Sequence, residues 1–562
     1  MGKRIVIIGG VAAGPKAAAR ARRLDPSAEI TMIEQDQVLS YAGCGLPYYI
    51  SGVVPDRRQL ISTSAGALRD PEYFEQVKGV RVLNGTQALE IDRQAREVTV
   101  RRLETGETLR LPYDRLIIAT GAEPVEPPIP GKELGNVLRL KRLKDADRIR
   151  ARLQERAGQR VVIVGGGLIG LEMAEAASAC GASVTIIEQL PHVLPMLDTD
   201  MALLLQNRLQ LNGVKLYTAT RVERLEGDEN GQVRRVITSR GTFEAHLVLL
   251  SIGLRPNVEL ARKAGLLIGP SGAIHVNEYM QTSDPNIYAA GDCAEKNCLV
   301  RGTPCTMPLG SVANKEGRVA GSNAVGHAER FPGVAGTTAL KVFEWHVGRA
   351  GLGVDQAGEL GIPVVSSIVA APDRPHYYPG NKPVILKLVA EKGSRRLIGI
   401  QGLGLGELMK RIDVAVVAMT ARMTVDDVAT LDLAYAPPYS EAMDLIINGA
   451  NALRNKLDGL VKGVNSTELQ ARRQAGEDLF LLDVRTPAEF RAEAIPGSTL
   501  IPLGELRTRG SEVPRDRPVV VYCRSSLRAW EATRILSGLG YDNLELLDGG
   551  LMAWPYETVR GT

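Results

Sequence analysis

The sequence is poor in cysteine, in aromatic residues, in net charge and in long apolar runs. Six cysteines among 562 residues are too few for a disulfide framework, so we expect their chemistry to be that of individual thiols. A formal charge of +4 on a chain of this length does not indicate a nucleic-acid partner. No apolar run approaches the ~18–20 residues that span a bilayer. The first residues, MGKRIVIIGG, contain no signal-peptide core. We therefore predict a cytoplasmic protein without a membrane or nucleic-acid partner.

The proportions of hydrophobic and charged residues are those of a globular protein. Hydrophobic residues make up 44% and charged residues 23% of the sequence, as is usual for such proteins. The length predicts about three to five domains of ~100–200 residues each.

A first βαβ unit opens the chain. The apolar run Arg4 to Ile8 leads into GGVAAG, a helical stretch from Pro15 to Leu24, and a β-branched strand that ends at Glu34. Such a glycine turn brings the backbone close to a pyrophosphate at a helix N-terminus, and the acid accepts hydrogen bonds from a ribose. Val11 replaces the middle glycine of the fingerprint, so an ordinary βαβ turn remains an alternative. The predicted nucleotide contacts are Gly9, Gly10, Val11, Ala12, Ala13, Gly14 and Glu34.

A second βαβ unit has the full glycine fingerprint. Arg160 to Val164 leads into GGGLIG, a helix, and a strand that ends at Glu188. An acid at that position suits the free 2′-hydroxyl of NADH, whereas the phosphate of NADPH would favour Arg. We predict NADH rather than NADPH. The predicted contacts are Gly165, Gly167, Leu168, Ile169, Gly170 and Glu188.

Two further stretches complete a family resemblance. LIIATGAEP (Leu116 to Pro124) and SDPNIYAAGDCA (Ser283 to Ala294) follow the two glycine turns in the order and spacing of the flavoprotein disulfide reductases. The chain resembles that family over roughly residues 1–330. The resemblance implies that FAD binds the first unit, with Ala119, Thr120, Gly121 and Asp292 among its contacts.

A second, independent resemblance lies near the C-terminus. The strand LFLLDVR, then TPAEF, IPGS, PVVVYCRSSLR and LDGGLMAW are similar to a rhodanese domain. Four residues separate Cys523 from Arg528, the sulfurtransferase spacing, where tyrosine phosphatases have five. The loop amides, the helix dipole and Arg528 are predicted to stabilise a thiolate or persulfide at Cys523.

The resemblances together imply an α/β architecture of four domains. Two are Rossmann-like, one for FAD (residues 1–150 and 255–330) and one for NAD(P)H (151–254). An α+β dimerisation domain covers 331–450. A polar linker covers 451–467, and an α/β rhodanese domain covers 468–562.

The stretch SYAGCGLPY holds a single cysteine, Cys44, with no second cysteine four residues away. Its oxidised partner must therefore be external, as a mixed disulfide, a persulfide or a sulfenic acid. A buried inert cysteine is the alternative. The arrangement resembles the coenzyme A-disulfide reductase and NADH-dependent persulfide reductase group. Ala12 stands where peroxidase-like relatives carry His, which disfavours peroxide or oxygen reduction.

That resemblance also implies residues of the reaction site. Tyr377 in HYYPG and Tyr435 in YAPPYS match two tyrosines of the group, the second reaching across the dimer; a phenol near Cys44 could donate a proton. Both could instead be packed interface residues. The coenzyme A pocket carries over to Lys16, Arg20, Arg23, Ser40, Lys78 and Asn314. A solvated helix face is the alternative for the cations. Gly43 and Met443 stand where the reductases have Asn and Lys, which puts obligatory coenzyme A in doubt.

The other four cysteines form no familiar metal pattern. Cys293, Cys298 and Cys305 are spaced without nearby histidines, and Cys180 lies in a small-residue helix. We predict no metal site.

The function hypothesis joins the two cysteines. NADH reduces FAD, electrons reach a persulfide or polysulfide at Cys44, and Cys523 delivers the sulfane sulfur, directly or on a carrier thiol such as coenzyme A. The products are a thiol and hydrogen sulfide, and the enzyme is a homodimer. The alternatives are a coenzyme A-disulfide reductase, a low-turnover redox-sensing or sulfur-carrying flavoprotein, and an NADH oxidase.

Overall fold

The computed structural model describes residues 2–561, which form two compact units. The first runs to Gln189 and includes Tyr217–Val334; the second combines Leu190–Leu216 with the residues from Ala335 onward. One short strand, Lys215–Tyr217, lies where the chain passes from the second unit to the first. Within the described residues, no helix is both long and apolar enough to cross a bilayer.

The first sheet of unit one is parallel and is formed around the first glycine turn. Its strand order is Ile287–Ala289, Arg115–Ile118, Arg4–Ile8, Glu29–Ile33 and Arg81–Leu83. Arg4 pairs with Glu29 and Ile8 with Ile33, so the turn after Ile8 and the acid after Ile33 lie at the same sheet edge. Ile5, Ile7 and Ile117 are fully buried, as expected for a sheet covered on both faces.

The second sheet repeats this pattern. Ser183–Ile187, Arg160–Val164, Leu247–Leu250 and Val137–Leu138 are parallel neighbours in that order. Val164 pairs with Ile187, which brings the second glycine turn beside Glu188. Two Rossmann-like domains are thus confirmed.

The remaining elements of unit one connect these sheets. Its helices are Ala13–Leu24, Leu46–Ser51, Pro71–Lys78, Leu143–Gln154, Leu168–Ala179, Glu259–Lys263 and Gly310–Ala324, with 3-10 turns at Gly43–Gly45 and Arg57–Ile61. Two antiparallel sheets are formed by Thr86–Asp92, Glu97–Arg102 and Thr108–Pro112, and by Val222–Gly227, Val233–Thr238 and Gly241–Glu244. Two strand pairs are Ala122–Pro124 with Leu254–Pro256, and Lys296–Asn297 with Pro304–Cys305.

The helices Ala13–Leu24 and Gly310–Ala324 cross in close contact because glycine lies at the crossing. A β-carbon on Gly317 would lie 2.3 Å from Ala13 O, and one on Gly321 would lie 2.4 Å from Ala17 O. This crossing fixes the start of the long helix near the first glycine turn.

Unit two contains a five-stranded antiparallel sheet. Its order is Thr338–Val342, Trp345–Gly351, Leu397–Gly404, Pro383–Glu391 and Val364–Pro372. The accompanying helices are Thr199–Leu211, Val354–Glu359, Met409–Thr420, Val425–Val428 and Leu445–Leu457.

One ion cluster lies inside this unit. Lys387 Nζ lies 2.8 Å from Asp198 Oδ2 and 2.7 Å from Asp200 Oδ2, and Lys387 is only 2% exposed. Burial opposes the charge on Lys387, but the two carboxylates outweigh burial and raise its pKa.

The C-terminal part of unit two is a parallel sheet with helices, as predicted. Its order is Lys462–Val464, Leu544–Leu547, Val519–Tyr522, Phe480–Asp483 and Thr499–Leu500. The helices are Ser466–Gln474, Pro487–Ala492, Leu506–Arg509 and Leu527–Gly538, with 3-10 turns at Leu503–Glu505, Gly510–Glu512 and Gly550–Ala553.

The segment 451–467, predicted to be a linker, is ordered structure. It begins inside the helix Leu445–Leu457 and contributes the strand Lys462–Val464, which pairs with Leu544–Leu547. Lys456 Nζ contacts Asp548 Oδ2 at 2.5 Å and donates to Ser366 O at 2.7 Å. The polar, glycine-containing composition predicted a solvated linker, but the Lys456 side chain is buried and forms an ion pair with Asp548.

Candidate functional site: two cysteine loops and two nucleotide turns

Cys44 lies in the 3-10 turn Gly43–Gly45, directly before the helix Leu46–Ser51, and is solvent-exposed. A β-carbon on Gly310 would lie 3.5 Å from Cys44 Sγ, so the thiol lies at the first residue of the helix Gly310–Ala324. The unpaired amides and dipole of a helix N-terminus stabilise an anion. The thiol therefore lies near the N-termini of two helices, Leu46–Ser51 and Gly310–Ala324.

A carboxyl group lies close to the helix that follows Cys44. Glu172 is on the helix Leu168–Ala179, which packs against Leu46–Ser51. Burial, with a smaller contribution from Glu175, raises the pKa of Glu172 to about 7. Burial raises the pKa of Tyr48 as well, with smaller effects from Glu172, Glu175 and Cys44. Thus a group that titrates near neutral pH lies in the surroundings of the thiol.

The first glycine turn is shaped as a nucleotide cradle. Gly9 has φ +114°, and a β-carbon there would lie 2.1 Å from Ala119 O. A β-carbon on Gly14 would lie 1.8 Å from Gly9 O. Glu34 is buried and accepts a hydrogen bond from Gly10 N at 2.7 Å. Only glycine fits at the first and last fingerprint positions, and the predicted acid lies against the turn, so these residues fit FAD.

The other residues predicted to contact FAD lie around this turn. Val11, Ala12 and Ala13 lie in the turn and the first residues of its helix. Ala119 N donates to Ile8 O at 2.7 Å, and Thr120 Oγ1 donates to Asn257 O at 2.7 Å. Gly121 has φ +69°. Asp292 lies 3.9 Å from Lys141 Nζ.

The second turn reproduces the first. Gly166 N donates to Glu188 Oε2 at 2.6 Å, and a β-carbon on Gly170 would lie 2.1 Å from Gly165 O. A β-carbon on Gly167 would meet nothing within 4 Å, so the protein itself does not require glycine there. Open space at this position leaves room for a pyrophosphate. Leu168 and Ile169 begin the helix at this turn. The arrangement fits a dinucleotide.

The residues predicted to contact coenzyme A differ in how exposed they are and in whether they already have a partner within the protein. Lys16, Arg23 and Asn314 are exposed. Arg20 is not free, since it donates to Ser322 Oγ at 2.9 Å and lies 3.3 Å from Glu329. Ser40 is buried and Lys78 lies over the Tyr73 ring at 5.3 Å.

Tyr377 and Tyr435 lie together in unit two. The two phenols are hydrogen-bonded, which raises the pKa of Tyr377. Both are well exposed, at 64% and 50%, so they are not packed inside this unit.

Cys523 lies at the end of a fully buried strand, Val519–Tyr522, and is itself 1% exposed. The next helix begins at Leu527. Ser526 has φ 93°, and its hydroxyl accepts from Gly549 N at 2.7 Å. Leu551 N donates to Cys523 O at 2.9 Å. The LDGGLMAW stretch therefore holds the cysteine loop at both of its ends, Cys523 and Ser526.

Arg528 is near Cys523 but has another partner. It forms a two-point ion pair with Glu489, at 2.7 and 2.8 Å, and this lowers the pKa of Glu489 to about 2. Cys523 is a smaller contributor to the raised pKa of Arg528. Asp483 and Arg485, both in the LFLLDVR stretch, form a buried ion pair at 2.6 Å.

Glu172, Gly310 and Glu489 are site residues that the sequence reasoning missed. The TPAEF stretch contained Glu489, and GSVANKEGR contained Gly310, but neither pattern shows what it contacts. For Glu172 the signal was its position on the helix after GGGLIG; its raised pKa depends on burial, which the sequence does not display.

Family models match most of the chain. Residues 3–317 match the pyridine nucleotide-disulphide oxidoreductases, and 337–446 match the dimerisation domain of the same family. Residues 465–556 match the rhodanese-like domain.

Named relatives cover the same regions. The chain is 38% identical to the "NAD(P)H sulfur oxidoreductase (CoA-dependent)" of Pyrococcus abyssi over 80% of this chain and 98% of that protein. A NAD-dependent persulfide reductase structure from A. fulgidus is 45% identical, with a TM-score of 0.93, and covers 98% of this chain and 100% of its own. The structure of reduced Bacillus anthracis CoADR-RHD is 36% identical, with a TM-score of 0.92, covering 99% and 98%.

Proposed function

Because the chain belongs to the pyridine nucleotide-disulphide oxidoreductases and carries a rhodanese-like domain, we propose that it reduces persulfides or polysulfides with NAD(P)H. The overall change is RSSH + NADH + H⁺ → RSH + H₂S + NAD⁺. The observation that carries the proposal is the pairing, in one chain, of an exposed single thiol at a helix N-terminus with a sulfurtransferase cysteine loop.

The chain's residues support this reaction at Cys44. Its thiolate attacks the sulfane sulfur of R–S–S⁻, forms a Cys44 persulfide and releases the thiolate RS⁻. The Gly9 turn and Glu34 would hold FAD, which would supply the two electrons needed to reduce the Cys44 persulfide to the Cys44 thiolate and hydrosulfide. The N-terminus of Gly310–Ala324 stabilises the Cys44 thiolate before and after the reaction. Tyr377 and Tyr435 donate the proton to the leaving sulfur.

Cys523 delivers the sulfane sulfur. Its loop amides and Arg528 hold the anionic outer sulfur of a Cys523 persulfide, which passes to Cys44 directly or on a carrier thiol such as coenzyme A. Lys16, Arg23, Lys78, Ser40 and Asn314 are the proposed carrier contacts; Arg20 supports them from within the fold.

We propose NADH as the preferred reductant. Glu188 lies against the second glycine turn, where a 2′-phosphate would meet a carboxylate. Comparing kcat/KM for NADH and NADPH tests this preference; equal values would refute it.

The enzyme acts as a homodimer in this proposal. Val417, Tyr439 and Met443 in the matched dimerisation region are 66%, 69% and 49% exposed in the single chain, a surface suited to a second copy. Light scattering that returns the mass of one chain would contradict it.

An anaerobic assay tests the main proposal. NADH oxidation is followed with polysulfide, coenzyme A persulfide and coenzyme A disulfide, and sulfide is measured directly. Cys44→Ser should abolish sulfide release, whereas Cys180→Ser, at a thiol outside the site, should not. Sulfide release retained in Cys44→Ser would refute the role of Cys44. If coenzyme A disulfide is reduced far faster than the persulfides, the result favours a coenzyme A-disulfide reductase. If NADH is consumed with oxygen as the only acceptor, the result favours an NADH oxidase.

A further inference from the structure

Two cysteines lie together on a hairpin that takes no part in the proposed reaction. The strands Lys296–Asn297 and Pro304–Cys305 are antiparallel, with Lys296 opposite Cys305. Cys298 N donates to Thr303 O at 3.1 Å, which extends the ladder by one pair. Side chains two residues apart on a strand share a face. Cys298 and Cys305 therefore project from the same face as diagonal neighbours.

We propose that Cys298 and Cys305 form a second redox-active dithiol, which exchanges with small disulfides and closes into an intramolecular disulfide. The inference does not depend on the proposed function, because it concerns neither Cys44 nor Cys523. Both thiols are free in the structure.

The two thiols are unlike, as an attacking and a resolving cysteine should be. The side-chain contact with Cys305 is the largest influence on Cys298, and it lowers the pKa of Cys298 despite burial. Backbone amides of Arg301 and Val300 and the charge of Arg301 act in the same direction. The same thiol contact raises the pKa of Cys305. Cys298 is thus the thiol that loses its proton more readily, and the thiolate is the form that attacks a disulfide.

The surroundings favour exchange over metal binding. Within residues 2–561 no group of three or more His, Cys, Asp or Glu side chains could hold a metal ion. Cys298 is 7% exposed, but the turn that covers it, from Arg301 to Pro304, is exposed, and Cys305 is half-buried. A displacement of this short hairpin would admit a small disulfide and bring the sulfurs to the ~2.05 Å of a bond.

The exchange balances without a further reactant. Cys298 S⁻ attacks RSSR, its S–S bond breaks, one RS⁻ leaves and a mixed disulfide forms on Cys298. Cys305 then loses its proton and attacks the Cys298 sulfur, which releases the second RS⁻. Two cysteine thiols are oxidised and one small disulfide is reduced to two thiols.

The position of the pair connects it to the first cysteine loop through the chain. Residues 306–309 lead from Cys305 to Gly310, the residue beside Cys44 Sγ. A closed disulfide would tether the start of that segment.

Peptide mapping tests the proposal, because Arg301 separates the two cysteines. The reduced holoenzyme of Cys44→Ser/Cys523→Ser is treated with oxidised glutathione under anaerobic conditions, alkylated and digested with trypsin without reductant. A disulfide would join the peptides Asn297–Arg301 and Gly302–Lys315 into one species. We expect this species to accumulate with release of two glutathione molecules per chain.

Three outcomes would overturn the proposal: separate, alkylated peptides; a stable glutathione adduct on Cys298; or equal rates of Cys305 modification with and without Cys298. Cys298→Ser should slow modification of Cys305 by more than about tenfold. Cys180→Ser, which removes a thiol remote in sequence from the hairpin, should leave the joined peptide unchanged. Because the assay requires no turnover, failure of the proposed function would not alter its result.

Discussion

Replacing Glu172 by Gln should stabilise the protein at and above neutral pH but not in acid. Burial raises the pKa of this carboxyl from its ordinary value of 4.5 to about 7. A rise of that size corresponds to about 3 kcal/mol in favour of the protonated form. Below pH 4.5 the group is protonated in both the folded and the unfolded state, so its raised pKa does not change the free energy of unfolding.

The sign of the effect follows from proton linkage. As the pH rises from 4.5 through 7, the unfolded chain releases the Glu172 proton first, and the folded protein loses up to about 3 kcal/mol of relative stability. Gln has no such charge, so the melting temperatures of the variant and the parent should diverge over this window. The melting temperature of a domain of 150–250 residues changes by about 2–4 °C for each kcal/mol, and by less for a larger unit. The melting temperatures of the variant and the parent should therefore differ by about 5 °C above pH 7.

Thermal unfolding followed at several pH values between 4 and 8 provides the assay. Glu229→Gln, which alters an exposed carboxyl of the same unit, controls for the change in net charge. Glu175→Gln should lower the pKa of Glu172, because Glu175 is the smaller of its two causes. A melting difference for Glu172→Gln that does not change between pH 4 and 8 would refute the reasoning.

Three further variants test the architecture. Lys387→Met leaves two buried aspartates without a counter-charge and should lower the urea unfolding free energy by about 3–5 kcal/mol. Arg528→Ala removes the cation near Cys523 and leaves Glu489 unpaired, so thiosulfate sulfurtransfer should fall about 10- to 100-fold, the equivalent of one charged hydrogen bond. Gly317→Ala forces apart two helices in contact and should cost about 1–3 kcal/mol and weaken FAD retention, measured by flavin absorbance after dialysis.

Each of these variants has a matched control. Lys392→Met and Arg524→Ala change exposed cations in the same strand region and the same loop. Gly358→Ala adds a β-carbon that meets nothing within 4 Å. If a control loses as much stability, sulfurtransfer or flavin as its partner variant, the assigned contact is not the cause.

The sheets were the most predictable part of the fold. The apolar runs Arg4 to Ile8 and Arg160 to Val164 are both strands with those bounds in the structure, because β-branched runs that lead into glycine turns have few other structures. Helix ends were less predictable. The helix Gly310–Ala324 has no capping side chain at its N-terminus, and its position depends on the crossing with Ala13–Leu24, which the sequence does not display.

The candidate site was predictable where a residue's role follows from its own motif. The glycine turns and both cysteine loops depend on local backbone geometry, so their sequences suffice. Arg20 and Arg528 were different, because each has a partner more than ten residues away, Glu329 and Glu489. The linker prediction failed for the same reason: Lys456 pairs with Asp548, which lies 92 residues further along the chain.

The strand Lys462–Val464, which lies in the segment predicted to be a linker, determines where the chain can be divided into fragments. The rhodanese sheet takes its edge from Lys462–Val464, so a fragment begun at the compositional boundary near 467 would expose the open side of Leu544–Leu547 to other chains. Lys456, on the preceding helix, is the counter-charge of buried Asp548. A sulfurtransferase fragment that remains monomeric should therefore begin at or before Leu445, and a reductase fragment that ends at 450 would lose most of its own final helix.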